Sequence, residues 1–186
     1  MNRRVPDDRS ERHLIDRVRR GDAVALRLLF ERHAPGVHRL AFRLLGSRDD
    51  ADDIVQDVFV GLRVALVRYT DQDSFEFWLR RVATRTALMR IRGDRRRDAT
   101  ARASKPGPDA PDGFTQSDPV LGDALSRVIA ALPDSLRLVF VLRMIEDYSY
   151  DDIAQTLGLK VGACKVRLSR ALRRLRPQLS HLRENR

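Results

Sequence analysis

Apolar residues recur every three or four positions along most of the 186-residue chain, and this spacing constrains the fold more than any other feature. In one stretch, Val37, Leu40, Ala41, Leu44 and Leu45 follow the spacing of a single buried helical face. The alternation of apolar and polar residues that is typical of a half-buried strand is not found. The sequence therefore predicts an all-α protein.

Residues 98–119 interrupt this periodicity. The segment is rich in Pro, Gly, Ser, Thr and Asp, and only Phe114 could anchor it to a core. Such a composition is typical of a flexible linker. We therefore predict two small helical domains, residues 10–97 and 120–180, joined by a linker at 98–119.

Helix boundaries can be predicted from local signals in the first domain. Gly21 followed by Asp22, and Gly46 followed by Ser47, each place a helix stop before a good N-cap residue. After the second pair, an apolar stripe from Ala51 to Leu66 predicts one long helix.

Residues 148–176 carry the most specific pattern in the chain. Ser149 is a natural N-cap that Asp152 can reciprocate, and Tyr148 and Ile153 can pack across it as a hydrophobic staple. Gly158 can end this helix in the left-handed conformation, and a second helix begins near Val161. The pattern predicts a helix-turn-helix at the C-terminal end, with an ordinary helical hairpin as the alternative.

The second helix of this pair and the turn before it carry seven basic residues with no acidic residue among them: Lys160, Lys165, Arg167, Arg170, Arg173, Arg174 and Arg176. Since a solvated helix face usually mixes signs, a single-sign face indicates a polyanionic partner. Arginine can also bind guanine in the major groove. The candidate DNA contacts are Lys160, Lys165, Arg167, Arg170 and Arg174.

The first domain contains an acidic helix face that lies opposite its apolar stripe. Aspartates near a helix N-terminus are favourable in themselves, and charge runs are commonly just solvated. This face nevertheless has more carboxylates than a helix start requires, and the rest of the protein is basic. We interpret it as a docking surface for a basic partner, formed by Asp49, Asp52, Asp53, Gln56 and Asp57.

An arginine-rich helix with aromatic residues at its start follows. Aromatic rings beside a cationic groove can stack on unpaired bases. For Phe75 and Trp78 we favour a core position, because Trp is mostly buried. Tyr69 and the polar loop after it are then the better candidates for contact with an exposed base.

Several function classes are disfavoured by composition. The net charge of +10 favours a polyanionic partner, although composition alone does not separate DNA, RNA and an acidic membrane surface, and no apolar run is long enough for stable membrane insertion. One cysteine, Cys164, excludes an internal disulfide and fits the reducing cytoplasm. We find no metal-ligand cluster, no cofactor motif and no arrangement of nucleophile and base, so we expect neither a cofactor nor an enzyme.

With these patterns in order, the chain resembles the extracytoplasmic-function sigma factors of bacterial RNA polymerase. The resemblance runs from about Glu11 to Leu179, and depends on DADDIVQDVF, SFEFWLRRVATRTALMRIRGDRRR and the C-terminal helix-turn-helix. It implies a protein that binds core RNA polymerase and promoter DNA and is controlled by an anti-sigma factor. A free-standing helix-turn-helix regulator is the alternative.

The resemblance also implies a role for each surface. The acidic helix would dock on the polymerase, and residues 149–176 would bind the −35 element. The loop and helix at 69–97 would recognise and open the −10 element. The −10 candidates are Tyr69, Asp71, Gln72, Trp78, Arg81, Arg85 and Arg92.

Four positions depart from the family pattern. Arg85 and Met89 stand where family members commonly carry Asn and Asp, and Lys160 replaces the usual Ser or Thr cap of the recognition helix. Cys164 replaces a valine. We interpret this cysteine as a small buried hydrophobe rather than a redox switch, because thiol reactivity needs an exposed thiolate.

Overall fold

The computed structural model describes residues 10–70, 74–102 and 123–184, with side chains described at 10–70, 74–93 and 125–177. The described residues form helices and connecting turns without any strand, as predicted. The helices are α1 (Glu11–Arg19), α2 (Ala23–Leu45), α3 (Arg48–Val60), α4 (Leu62–Ala65), a 3-10 turn η1 (Leu66–Arg68), α5 (Phe75–Arg102), α6 (Asp123–Ala130), α7 (Asp134–Met144), α8 (Tyr150–Leu157) and α9 (Val161–Glu184).

The two stop-and-cap signals of the first domain are confirmed. Asp22 accepts hydrogen bonds from the backbone N–H groups of Val24 and Ala25 at 2.9 and 3.1 Å, which caps α2. Gly46 ends α2 at φ 81°, a left-handed conformation that glycine adopts without strain. The Ser47 hydroxyl then accepts from the Asp50 N–H at 3.2 Å and starts α3.

The single long helix predicted from Ala51 to Leu66 is wrong. The structure ends α3 at Val60, and Gly61 separates it from the short α4 and η1. A Cβ atom at Gly61 would lie 3.2 Å from the carbonyl oxygen of Asp57, closer than most side chains tolerate. Leu62 and Leu66 remain buried through the break, so the apolar stripe continues although the helix does not.

Helix α2 is the centre of the first domain, because it packs against α1, α3 and α5. Its core is aliphatic and includes Leu14, Leu29, Leu40, Leu44, Ile54 and Leu79, all with almost no exposed surface. Burying such side chains stabilises a domain by about 1.5–3 kcal/mol each relative to leaving them exposed. A rigid aliphatic core of this kind fixes the outward faces of α3 and α5.

The second domain is built around α9, which contacts α6, α7 and α8. The predicted cap of α8 is confirmed, because the Ser149 hydroxyl accepts from the Asp152 N–H at 3.1 Å. The reciprocal contact differs from a standard capping box: the Asp152 carboxylate accepts from the Ser149 hydroxyl at 2.6 Å. Tyr148 and Ile153 are both fully buried at this end of the helix.

The two domains lie against each other in this structure. Helix α2 contacts α6 and α7, and α5 contacts α8. Helix α5 also extends to Arg102, so residues 98–102, which the sequence analysis assigned to the linker, are helical. Residues 103–119 of the predicted linker lie outside the described residues.

In the part of the chain that is described, no helix is both long enough and apolar enough to cross a membrane.

Candidate polymerase and DNA interfaces

Helix α3 presents its predicted acidic residues to solvent. Asp52, Asp53, Gln56 and Asp57 are exposed because the core takes the opposite face, with Ala51, Ile54, Val55 and Val58. Asp49 lies in the first turn beyond the Ser47 cap and is exposed as well. One carboxylate oxygen of Asp52 lies 3.3 Å from Nε2 of His38 on α2. The residues that the sequence grouped as a docking surface therefore share one face.

Arg90 of α5 forms ion pairs with some of the α3 carboxylates and not with others. Its guanidinium contacts Asp50 at 2.6 Å and Asp53 at 2.9 Å, so one arginine joins two carboxylates one turn apart on α3. Burial is the largest single influence on the pKa of Arg90, and it lowers that pKa. The combined effect of the two carboxylates is larger, so the pKa is raised overall. Asp53 thus has a partner within the domain, whereas no ion pair is seen for Asp57 among the described residues.

An apolar groove of ≈ 570 Å³ runs beside the acidic residues, between the start of α2 and the end of α3. Phe30 and Phe59 pack edge to face in it, with ring centroids 4.9 Å apart, and Val60 is 78% exposed at its rim. The groove is lined by Ala23, Leu26, Arg27, Phe30, Asp52, Val55, Gln56, Phe59 and Val60. Sequence reasoning assigned only Asp52 and Gln56 of this set to a docking surface. Phe30 and Val60 are exposed apolar residues outside the core periodicity, and this position is the signal that could have identified them.

The aromatic residues that precede and begin α5 form a cluster. The Tyr69 ring lies 5.0 Å from Trp78 and 5.7 Å from Phe75, centroid to centroid, and Trp78 stacks on Phe75 at 5.7 Å. Phe75 is buried as expected. The preference for Tyr69 over Trp78 as the base contact stays a prediction; in this arrangement Tyr69 is buried and Trp78 is only half-buried. Asp71 and Gln72 lie outside the described residues.

Helix α5 has an exposed face C-terminal to this aromatic cluster. Arg85, Met89 and Arg92 are spaced four and three residues apart and are all exposed, so they share one side of the helix. Arg81 differs from them. Its guanidinium lies over the Phe77 ring at 6.0 Å and contacts the Gln155 side-chain oxygen of α8 at 3.5 Å.

The helix-turn-helix predicted from the sequence is formed by α8, a turn at Gly158 and α9. Gly158 adopts φ 67° and its N–H donates to the Ala154 carbonyl, which ends α8 as predicted. Cys164 of α9 is fully buried between the helices. Burial raises the pKa of its thiol, while Arg167 has a smaller opposing effect, so the thiolate is disfavoured at neutral pH.

The predicted basic contacts on and just before α9 do not all lie on one side of the helix. Lys165 and Arg170 line a shallow basic groove of ≈ 490 Å³ together with Val166, Ser169 and Arg173. Lys160 and Arg174 are exposed outside this groove, and Arg167 is half-buried. The sequence analysis counted Arg173 among the basic residues without choosing it as a DNA contact, and it missed Val166 and Ser169. Their spacing with Lys165, four and eight positions on, is the signal that could have found Ser169 and Arg173.

Tyr150 at the start of α8 orients part of this basic surface. The Arg143 guanidinium lies 5.4 Å from the Tyr150 ring centroid, and the Lys165 ammonium lies 5.6 Å from it. Cation–π contacts of this kind restrict long side chains that would otherwise sample many rotamers. Lys165 is thereby held at the edge of the groove.

Comparison with known proteins agrees with both halves of this description. A family model described as "Sigma-70 region 2" matches residues 29–97, and one described as "Sigma-70, region 4" matches residues 122–175. The ECF RNA polymerase sigma factor SigW of Bacillus subtilis is 30% identical over 180 residues, which cover 90% of this chain and 96% of SigW. The chain belongs to the extracytoplasmic-function (ECF) sigma factors.

Two further comparisons bear on length and fold. The ECF RNA polymerase sigma factor SigE of Mycolicibacterium smegmatis is 34% identical over 160 residues; the match covers 82% of this chain and 60% of SigE. The sigma factor RpoE of Bartonella quintana, solved in complex with the anti-sigma factor NepR, shares the fold with a TM-score of 0.59 at 22% identity. That match covers 79% of this chain and 91% of RpoE.

The presence of regions 2 and 4 in one ECF sigma factor decides between the two functions that the sequence left open. A free-standing helix-turn-helix regulator needs only the second domain, and offers no reason for the first. The family assignment therefore favours a transcription-initiation factor of RNA polymerase over such a regulator.

Proposed function

We propose that this ECF sigma factor binds core RNA polymerase through the α2–α3 groove, opens the −10 element with α5 and binds the −35 element with α9. It acts by binding rather than by catalysis, and it acts in the cytoplasm, where the polymerase works. The observation that carries the proposal is the pairing of an apolar, acidic-rimmed groove on one domain with a basic groove on the other.

The groove on α2 and α3 is suited to an amphipathic helix with basic flanks. Leu26, Phe30 and Phe59 offer an apolar floor, and Asp52, Gln56 and Asp57 offer acceptors beside it. Charged groups at the rim steer the encounter, while the buried aromatic floor supplies most of the affinity. We therefore assign polymerase docking to this groove, with Asp49 outside it at the start of α3 and Asp53 in a supporting role through Arg90.

For the −10 element we assign Trp78, Arg85 and Arg92, with Arg81 after it is released from Gln155. A base that leaves the duplex can stack on a half-exposed indole, and such stacking contributes about 1–3 kcal/mol per base. The arginines on the same helix can bind the phosphates of the opened strand. In this proposal the Tyr69 ring packs against the Trp78 ring and does not contact DNA.

For the −35 element we assign the groove of α9. Arg170 and Arg173 can bind guanine in the major groove, while Lys160, Lys165 and Arg174 neutralise phosphates. Arg167 is half-buried beside Cys164, so we place it at the edge of the contact. Each neutralised phosphate releases counterions, which makes the affinity fall steeply with salt.

We assign residues 10–102 to the polymerase-docking and −10 domain, 103–119 to the linker and 120–180 to the −35 domain. We further propose that an anti-sigma factor controls the protein, as the family resemblance implies. Such a partner would act by covering the α2–α3 groove or the α9 groove.

The proposal can be tested with two valines that differ mainly in position. Val60→Asp places a charge at the rim of the apolar groove, and Val67→Asp places the same charge on η1, outside the groove. Both side chains are exposed, 78% and 82% respectively, so neither substitution disturbs the core. We expect Val60→Asp to abolish binding to core RNA polymerase and run-off transcription from genomic fragments, and Val67→Asp to retain both.

Equal activity of the two variants would refute the docking assignment. A parent protein that directs no start-site choice when added to core RNA polymerase would refute the function itself.

A further inference from the structure

Val166 is an exposed apolar residue in the middle of a basic surface. It is 50% exposed, and it lines the α9 groove together with Lys165, Ser169, Arg170 and Arg173. Single exposed apolar residues are common on protein surfaces and need no explanation by themselves. Val166 differs because every other side chain that lines the groove is polar or basic. A partner that fits this groove closely therefore has to place an apolar group against the valine.

The Val166 side chain points away from the core of the second domain. The buried face of α9 is formed by Cys164, Leu168, Ala171 and Leu175, none of which is more than 7% exposed. An α-helix turns by about 100° per residue, which places Val166 opposite the middle of this buried face. Since α9 is the second helix of the helix-turn-helix, its outward face is the one that can enter the major groove. Val166 thus lies at the centre of the surface that would face the base pairs.

The neighbours of Val166 leave one kind of base contact to it. Ser169 and Arg170, three and four positions on, share its side of the helix, and Arg173 follows them in the same groove. Arginine can bind O6 and N7 of guanine, and a serine hydroxyl can donate or accept and therefore selects little. A valine makes no hydrogen bond, so it can select a base only through an apolar group at the major-groove edge. Among the four bases, thymine alone offers such a group, its 5-methyl.

We propose that Val166 is a specificity-determining residue of the −35 interface and that it binds the 5-methyl group of a thymine. The inference rests on the proposed function of α9. Side chains at this spacing on a helix are about 5–6 Å apart at Cβ, and successive base pairs are about 3.4 Å apart. The thymine should therefore lie within about two base pairs of the guanine that Arg170 binds. 5-Methylcytosine carries the same group, so its methyl should be bound as well.

The test uses the full-length protein assembled with core RNA polymerase, on a promoter obtained by run-off transcription from genomic fragments. Each thymine of the −35 region, on either strand, is replaced in turn by deoxyuridine, which lacks only the 5-methyl group. Competition binding at one salt concentration gives the affinity lost at each position. We expect a loss of roughly fourfold at one thymine near the guanine, as for one methyl-sized group left unburied, and almost none elsewhere.

Two exposed apolar residues of α9 provide a matched pair of variants. Val166→Ala removes the two methyl groups beyond Cβ, whereas Leu172→Ala shortens a side chain that is 42% exposed on the same helix but outside the groove. We expect Val166→Ala to abolish the deoxyuridine effect and Leu172→Ala to retain it. Circular dichroism melting verifies that both variants keep their helices.

A comparison of 5-methylcytosine with cytosine at the same position gives a second measurement of the methyl group. The parent should bind the methylated promoter about fourfold more tightly, and Val166→Ala should bind both equally. This comparison and the deoxyuridine series on the parent decide the case even where Val166→Ala fails to fold.

A parent that binds every deoxyuridine promoter as tightly as the unsubstituted one would overturn the inference. So would a −35 region without thymine, or a deoxyuridine effect that persists in Val166→Ala. All of these results require a promoter that the parent recognises. If no genomic fragment gives a start site, the proposed function itself fails and the inference falls with it, so the two failures are distinguishable.

Discussion

Two aspartates of the acidic face, one turn apart on α3, are expected to respond differently to the same substitution. Asp53 is paired with Arg90 at 2.9 Å, whereas no ion pair of Asp57 is seen in the described residues. Asp53→Asn removes a contact within the domain. Asp57→Asn removes only a charge offered to a partner.

The magnitude follows from exposure. The side chains of Asp53 and Arg90 are 52% and 31% exposed, so solvent screens their attraction, and pairs of this kind contribute about 0.2–1 kcal/mol. We expect Asp53→Asn to lower the free energy of unfolding by that amount, and Asp57→Asn to leave it within about 0.5 kcal/mol of the parent. The affinity for core RNA polymerase should fall more for Asp57→Asn, by roughly tenfold.

Urea denaturation followed by circular dichroism gives the first quantity, and fluorescence titration with core polymerase gives the second. Arg90→Gln provides a cycle, because Asp53→Asn should cost less in that background than in the parent. If Asp57→Asn destabilises the domain more than Asp53→Asn, or weakens polymerase binding less, the division of roles is refuted.

Three further predictions concern other sites. Cys164 should react with iodoacetamide at least a hundredfold more slowly in the native protein than in urea, since burial raises its pKa and blocks access; an oxidant response of transcription that is lost in Cys164→Val would contradict this. Asp22 has a lowered pKa because of its hydrogen bond from Arg17 and its cap of α2, so its contribution to stability is present above the usual aspartate range and is lost as pH falls through the lowered value. The melting temperatures of the parent and Asp22→Ala should therefore converge on acidification, and a constant difference would count against this linkage. Arg170→Ala should weaken −35 binding by about 1–3 kcal/mol with relaxed sequence preference, whereas Arg174→Ala should mainly reduce the salt dependence; gel-shift titrations at several salt concentrations distinguish the two.

Local signals predicted the helix ends well because the relevant energies are local. The Ser47 and Ser149 caps and the left-handed Gly46 and Gly158 depend on contacts within four residues, which a sequence reveals directly. The continuous helix predicted across Gly61 is wrong for a related reason. Apolar periodicity reports which side faces the core, and that side stays buried whether or not the helix is interrupted.

Functional surfaces were harder to predict, since they depend on which helices meet. The acidic residues of α3 were evident from sequence, but their apolar neighbour Phe30 lies on α2, and only the packing of the two helices places it beside Phe59. Tyr69 was assigned to DNA because it precedes a polar loop. Its burial in the cluster with Phe75 and Trp78 could not be predicted from the sequence, because it depends on how the segment before α5 packs against that helix.

Glu146 and Ser149 are three residues apart, and this short spacing has a consequence for engineering. The loop that meets the first domain leads directly into the cap of α8, so an exchange at residue 148 replaces the helix-turn-helix but leaves Glu146 and its ion pairs with Arg43 and Arg80 in the recipient. A hybrid whose junction lies before α7 takes residue 146 from the donor, so it keeps both interdomain ion pairs only if the donor carries an acid at this position. Modularity in this chain therefore ends before α7, not at the start of the helix-turn-helix.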